Sequence, residues 1–199
     1  MPPGWPARLR HGRVALRPLR WRDAARWSEL RLRDESWLAP WEPSSPHSWA
    51  HRHSVPSYLS MHRALTAQAR RGVSLPFAVV YDGQMAGQLT VANVVRGVLR
   101  SGHIGYWIAR DVAGRGVTTV AVALVVDHCF GPVGLHRVQA DIRPENAASR
   151  RVVDKLGFRQ EAFYRRYLDI DGAYRDHLGF ALTVEDVPGG LVRRLPAPE

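Results

Sequence analysis

Residues 103–158 constrain the chain more than any other stretch. Ile104, Tyr106 and Ile108 alternate with His103, Gly105 and Trp107, which is the two-residue period of a strand. Gly114 and Gly116 end that strand. From Val117 to Phe130 there is neither Gly nor Pro, and nearly every residue is apolar. The run is too long for one strand, so a buried helix is expected despite the low helix propensity of its valines. Glycines at the mouth of a helix leave backbone N–H groups uncovered. With the helix dipole these make an anion site, most often for phosphate. The spacing is not the dinucleotide-binding GxGxxG, because Thr119 stands at the third glycine, and no Gly-Lys-Ser/Thr follows as in a P-loop. A bare GxG also suits an ordinary turn. The second half narrows the choice. Residues 138–142 alternate as a strand, and Pro144, Glu145 and Asn146 open a short helix. Val152, Val153 and Leu156 form its apolar face, and Gly157 closes it.

The remaining chain reads as alternating helices and strands. Residues 13–19 suggest a first strand, and Asp23 an N-cap for a helix over 23–36 with Ala24, Trp27, Leu30 and Leu32 on its apolar face. A second helix is expected over 58–71. Strands over 76–81 and 85–95 are joined by Asp82-Gly83, and strands over 161–170 and 173–182 by Asp171-Gly172. This predicts an α+β fold with a mixed, mostly antiparallel sheet and helices on both faces. One domain is expected over 13–187, with a loose arm at 1–12 and a frayed tail at 188–199.

Composition excludes some classes. Hydrophobic residues are 45% and charged residues 23%, which suits an ordinary globular protein. No apolar run reaches the roughly 20 residues that span a bilayer, and the N-terminus lacks the apolar core of a signal peptide. Cys129 is the lone cysteine and lies inside the apolar helix, so a buried thiol in a reducing, cytoplasmic setting is expected. The formal net charge is +10, and Lys155 is the only lysine. An arginine-rich surface can meet the ribosome, other RNA or the phosphates of a cofactor. It can equally reflect a GC-rich coding sequence, since solvated charge needs no partner. His47, His51 and His53 are spaced like metal ligands, but no cysteine or carboxylate ligand lies beside them, and no metal site is expected.

Strand, GRG loop, helix, strand and then PENAASRRVVDKLGF resembles the acyl-CoA-binding core of the GNAT N-acetyltransferases. The later RRYLDIDGAYRDHLGFALT resembles the end of their RimJ/RimL branch, which acetylates N-termini of ribosomal proteins. The resemblance extends over 13–183. The family loop reads Arg or Gln, two residues, Gly, one residue, then Gly or Ala. Here Ala113 replaces the first residue and Thr118 the last. Backbone donors at Gly114, Arg115, Gly116 and Val117 do not depend on those side chains.

The resemblance implies a GNAT fold whose sheet splays at the acyl-CoA site, and acetyl transfer from acetyl-CoA to an amine. The loop through Thr118 would hold the pyrophosphate. Trp107, Ile108 and Ala109 would pair with pantetheine through backbone groups, one of their N–H groups stabilising the oxyanion. Asn146 would hold pantetheine and Ser149 would protonate the departing thiolate. From residues alone, Asn146 and Ser149 read first as a helix cap, and the resemblance is what favours the catalytic reading. In the RimJ-like branch a segment like the rigid Trp37-Leu-Ala-Pro-Trp-Glu-Pro loop lies beside the acceptor, although a small satellite core is an equal reading. Candidate bases are Glu42 and His103. A protein N-terminal amine is the expected acceptor, the enzyme being a monomer or homodimer. A small amine such as an antibiotic, or a non-catalytic CoA- or ribosome-binding module, stands as the alternative.

Overall fold

The structure, a computed structural model, describes residues 2–195. Eight strands form one sheet: β1 (Leu9–His11), β2 (Val14–Pro18), β3 (Leu75–Tyr81), β4 (Gln84–Val95), β5 (Ser101–Ile108), β6 (Arg137–Ile142), β7 (Arg159–Ile170) and β8 (Ala173–Thr183). Their order is β1-β2-β3-β4-β5-β6-β8-β7. Every pairing is antiparallel except β5 with β6. The α-helices are α1 (Ala24–Arg33), α2 (Glu35–Leu38), α3 (Trp49–Arg52), α4 (Val55–Arg70), α5 (Val117–Phe130) and α6 (Ala147–Lys155).

β3 is apolar on both sides because it is covered on both. Phe77 and Val79 join the large core with α5 and α6, including Val122, Val125 and Val153. Ala78 faces the other way, into a smaller cluster with Trp27, Tyr58 and Met85 beneath α1 and α4. α5 is a poor helix by propensity and survives by burial. Val122, Val125 and Val126 are fully buried, each contributing about 1.5–3 kcal/mol from apolar area removed from water. Cys129 is buried there too, and desolvation pushes its thiol up to about 12.

Two features open the sheet. β5 and β6 pair only over Ser101–His103 and Arg137–Gln139, and beyond that they part. β4 carries a bulge at Ala86, which lies between the paired residues Met85 and Gly87. At Gly87 an added Cβ would lie 2.3 Å from the Trp107 carbonyl oxygen, so only glycine lets the strands approach. The turn after β5 is pinned to α1: the buried Asp34 carboxylate accepts from the Arg110 N–H at 2.8 Å and from Arg33. The Arg33 guanidinium is the larger reason that carboxyl sits below its ordinary range.

Three expectations are corrected. Residues 2–12 are not a loose arm. β1 pairs with β2, Trp5 meets Phe77 edge-on at 5.1 Å, and His128 bonds the Gly4 carbonyl. Nor are residues 188–195 frayed: Leu191 is buried, and Asp127 accepts from the Leu191 and Val192 N–H groups. Residues 196–199 lie outside the described part. The helix expected over 23–36 is broken at Asp34. Asp23 stands at the N-cap position as expected, but its side chain does not bond the first turn; it accepts instead from the Arg20 N–H and pairs with Arg17.

Candidate active site

The gap between β5 and β6 opens into two adjoining clefts. The larger, about 630 Å³, runs from the Trp37 loop across β5 to the start of α5 and along α6. The second, about 350 Å³, lies between β5, β6 and the Trp41 loop. They share Trp41, Glu42, Tyr106, Trp107, Asn146 and Ser149, so those residues form the junction.

At one end of the larger cleft is the glycine loop. Gly114 and Gly116 have φ of 79° and 76°, a region that L side chains rarely adopt. Gly116 is the N-cap of α5, and no side chain caps that helix. Its first-turn N–H groups, from Val117 to Thr119, have no carbonyl within the helix to meet. Gly114, Gly116, Val117 and Thr118 line the cleft, and so does Lys155, the chain's single lysine, on the α6 wall. Open donors, helix dipole and cation together suit a phosphate-bearing ligand.

Along β5 the backbone alternates direction. The Trp107 carbonyl points at Gly87 in β4, and the Ala109 N–H donates to the Ala86 carbonyl at 2.8 Å. The Arg100 carbonyl, in contrast, accepts from His136 and Arg137 at the start of β6. Even-numbered residues therefore present their backbone groups to the gap. This corrects the expected set. The Trp107 carbonyl and the Ala109 N–H face β4, the Ala109 carbonyl accepts from the Val112 N–H, and the groups turned toward the gap belong to Ile104, Tyr106 and Ile108. The Ile108 carbonyl accepts from Trp37 Nε1 at 3.2 Å.

At the junction, the Asn146 side chain caps α6 by accepting from the Ser149 N–H at 3.0 Å. The Ser149 hydroxyl lies 2.7 Å from the Tyr106 hydroxyl. Burial pushes Tyr106 up to about 12. Sequence reasoning treated Tyr106 only as an apolar strand position. Its even register with Ile104 and Ile108 was the available signal, but only the fold reveals that α6 brings Ser149 against it.

Glu42 does not face solvent. Its carboxylate accepts from Arg31 at 2.6 Å and lies 3.5 Å from Arg52. Arg31 is buried, and its guanidinium sits 5.0 Å from the ring centroids of both Trp49 and Trp107. Desolvation lowers its pKa, with Glu42 opposing. His53 completes this network: Nε2 lies 2.7 Å from Arg31 and Nδ1 lies 2.9 Å from the Trp49 carbonyl. An arginine cannot accept, so Nδ1 carries the proton and Nε2 accepts. Burial first, and Arg31 second, hold His53 at about 4. His103 lines neither cleft; its Nδ1 lies 3.3 Å from Asp141 Oδ2, and Asp141 lines the smaller cleft instead.

The Trp41 loop is held at both ends. Arg143 donates to the Pro40 carbonyl and lies over the Trp41 ring. Pro43 bridges to Ile170, and Ser44 bonds Asp169 and the Gly172 N–H.

Residues 13–159 match the family described as the acetyltransferase (GNAT) domain. The chain belongs to the GNAT acetyltransferases. The fold is similar to that of Mycobacterium smegmatis RimJ, solved in complex with CoA-disulfide, with a TM-score of 0.96 and 48% identity over 98% of this chain and 96% of that one. By sequence the chain is 30% identical over 186 residues to the [Ribosomal protein uS5]-alanine N-acetyltransferase of Escherichia coli, 92% of this chain and 94% of that protein. It is 36% identical over 105 residues to the probable N-acetyltransferase YjcK of Bacillus subtilis, spanning 53% of this chain and 58% of that one. The protein is an N-acetyltransferase whose co-substrate is acetyl-CoA. No helix among the described residues is long and apolar enough to cross a membrane.

Proposed function

We propose that this enzyme transfers acetyl from acetyl-CoA to the N-terminal amine of a protein, of the ribosomal-protein class that its relatives are named for. The observation that carries the reading is the continuity of two clefts across Tyr106 and Ser149. One cleft suits a nucleotide-bearing thioester, and the other opens beyond it toward an acceptor.

Acetyl-CoA supplies an activated acyl group and a leaving thiolate. Backbone groups of Ile104, Tyr106 and Ile108 align the pantetheine as an added strand would, and one of their N–H groups faces the developing oxyanion. Gly114, Arg115, Gly116, Val117 and Thr118 receive the pyrophosphate, and Asn146 holds both the α6 N-terminus and the pantetheine. As the new C–N bond forms and the C–S bond breaks, the Ser149 hydroxyl gives its proton to sulfur, the Tyr106 hydroxyl at 2.7 Å passes one to Ser149, and the proton shed by the attacking nitrogen returns through solvent to Tyr106. A thiolate of pKa about 8.5 benefits from that proton at neutral pH.

Neither expected base is free. Glu42 is held by Arg31 and Arg52, and His103 sits outside the clefts. An α-amine of pKa about 7.7–8.0 sheds its proton with little help, whereas a lysine near 10.4 does not. This supports an N-terminal acceptor over a lysine. The rigid loop of Trp37, Pro40 and Trp41 offers the aromatic surface on which the first residues of a peptide pack. We further infer a cytoplasmic enzyme that meets the ribosome through its basic surface, its +10 charge supporting that contact. The test is release of CoA thiol with acetyl-CoA and a panel of N-terminal peptides and small amines. Turnover confined to small amines would overturn the substrate reading. Ribosome pelleting at low and high salt tests the contact, which is overturned if no binding occurs at low salt.

A further inference from the structure

We propose that Asp141 is the anionic anchor for the acceptor's α-ammonium group, the residue that makes a charged N-terminus the preferred occupant of the smaller cleft. The inference rests on the N-terminal reading above and names the group that recognises the amine.

Position comes first. Val138, Ala140 and Ile142 of β6 point into the core, so Asp141 points to the opposite face. It lines the smaller cleft, across the gap from Gly105 and Trp107 and alongside Asn146 and Ser149. That gap is where β5 and β6 have parted, and it adjoins the hydroxyl pair that serves the thioester.

The state of its charge comes second. Two carboxylates border the smaller cleft, Glu42 and Asp141. The first is already matched by Arg31 at 2.6 Å and Arg52 at 3.5 Å. Among the described residues, the one ion-pair partner of Asp141 is His103, at 3.3 Å on Oδ2, and Oδ1 is buried with no hydrogen-bond partner at all. A buried carboxylate oxygen without a donor is costly, and an incoming N–H donor that reaches it through a small rotation of the side chain, which is 12% exposed, relieves that cost. The other groups around it do not supply one. Arg143, two residues along β6, is turned to the Pro40 carbonyl and the Trp41 ring. Tyr167 of β7 has its pKa raised by burial first and by the Asp141 charge second. His177 of β8 lines the same cleft, with Nδ1 committed to the Arg175 carbonyl. His103 holds Oδ2 and so fixes the carboxylate's orientation, which makes it a positioning residue.

An ammonium at Asp141 would sit in the smaller cleft beside the junction, one lost proton away from attack on a thioester next to Ser149. A hydroxyl or an already acetylated N-terminus would leave Oδ1 without a charged partner, so the anchor also disfavours retention of product.

The test is calorimetric titration of CoA-loaded enzyme with an alanine-initiated peptide and with the same peptide N-acetylated. The wild type is expected to bind the free amine roughly 10- to 100-fold tighter, as for a charge-assisted hydrogen bond. Asp141→Asn should erase most of that preference while keeping the wild-type affinity for acetyl-CoA, which also reports that the variant is folded. A wild type that binds both peptides equally would overturn the inference without any need of the variant. So would an Asp141→Asn protein that retains the full preference. In either case, N-terminal acetylation of the free peptide by the wild type would leave the substrate reading intact. No binding of either peptide, with turnover of small amines only, would overturn the substrate reading and the anchor with it.

Discussion

Lowering the pH should destabilise this fold through one histidine, because a buried cation underlies the acceptor side of the site. His53 is almost wholly buried and accepts from Arg31 through Nε2. Protonating it would place a second positive charge 2.7 Å from a guanidinium that is itself buried. Its folded pKa of about 4 lies below the ordinary 6.5. The unfolded chain therefore binds more protons than the folded one between those values, and stability falls as pH falls. Above pH 6.5 the full stability is present. Between 6.5 and about 4 the loss approaches roughly 3 kcal/mol, at 1.36 kcal/mol per pKa unit. The assay is urea unfolding at steps from pH 7.5 to 4, on the wild type and on His53→Gln. The variant controls for carboxylates that titrate in the same range, and it should show a shallower loss by most of that amount. Equal slopes for the two proteins would refute the assignment of a neutral His53 as the acceptor for Arg31.

Three further outcomes are expected. Ser149→Ala should lower kcat by about 10²–10⁴-fold with acetyl-CoA affinity kept, as for loss of a general acid. The deficit should shrink above about pH 8.5, where the thiolate leaves unaided; a deficit that does not vary with pH would reduce Ser149 to a helix cap. Gly116→Val should weaken CoA binding by calorimetry, because φ of 76° is strained for a β-branched residue and its bulk blocks backbone approach, and unchanged affinity in a folded variant would remove the loop from the site. Gly87→Ala should destabilise the protein by about 1–3 kcal/mol in thermal or urea unfolding, since its Cβ would meet the Trp107 carbonyl at 2.3 Å; wild-type stability would show that the bulge yields freely.

Local patterns made most of the fold legible. Alternation marked β5 and β6, unbroken apolarity marked α5, and the Asp82-Gly83 turn marked the β3–β4 hairpin. Residues 2–12 misled because Pro, Gly and Arg read as loose chain, while the contacts that order them, Trp5 on Phe77 and Gly4 on His128, come from distant segments. The same limit applied to the site. The glycine loop and Asn146 carry their chemistry in short spacings. Which β5 backbone groups are open depends on Gly87 and Ala86 in another strand. The Tyr106–Ser149 contact, the pairing of Glu42 with Arg31 and the unpartnered oxygen of Asp141 arise only when separate elements meet. Glu42 and His103 were plausible bases by residue type, but packing gave each a partner.

The central claim is that the acceptor is a protein N-terminus. The most direct measurement uses a peptide bearing both a free N-terminal amine and an internal lysine, incubated with enzyme and acetyl-CoA and mapped by tandem mass spectrometry. Acetyl is predicted on the N-terminal nitrogen alone, with a rate that rises as that amine deprotonates and levels off around pH 8. Acetyl on the lysine side chain, or none on the peptide while small amines are modified, would contradict the account.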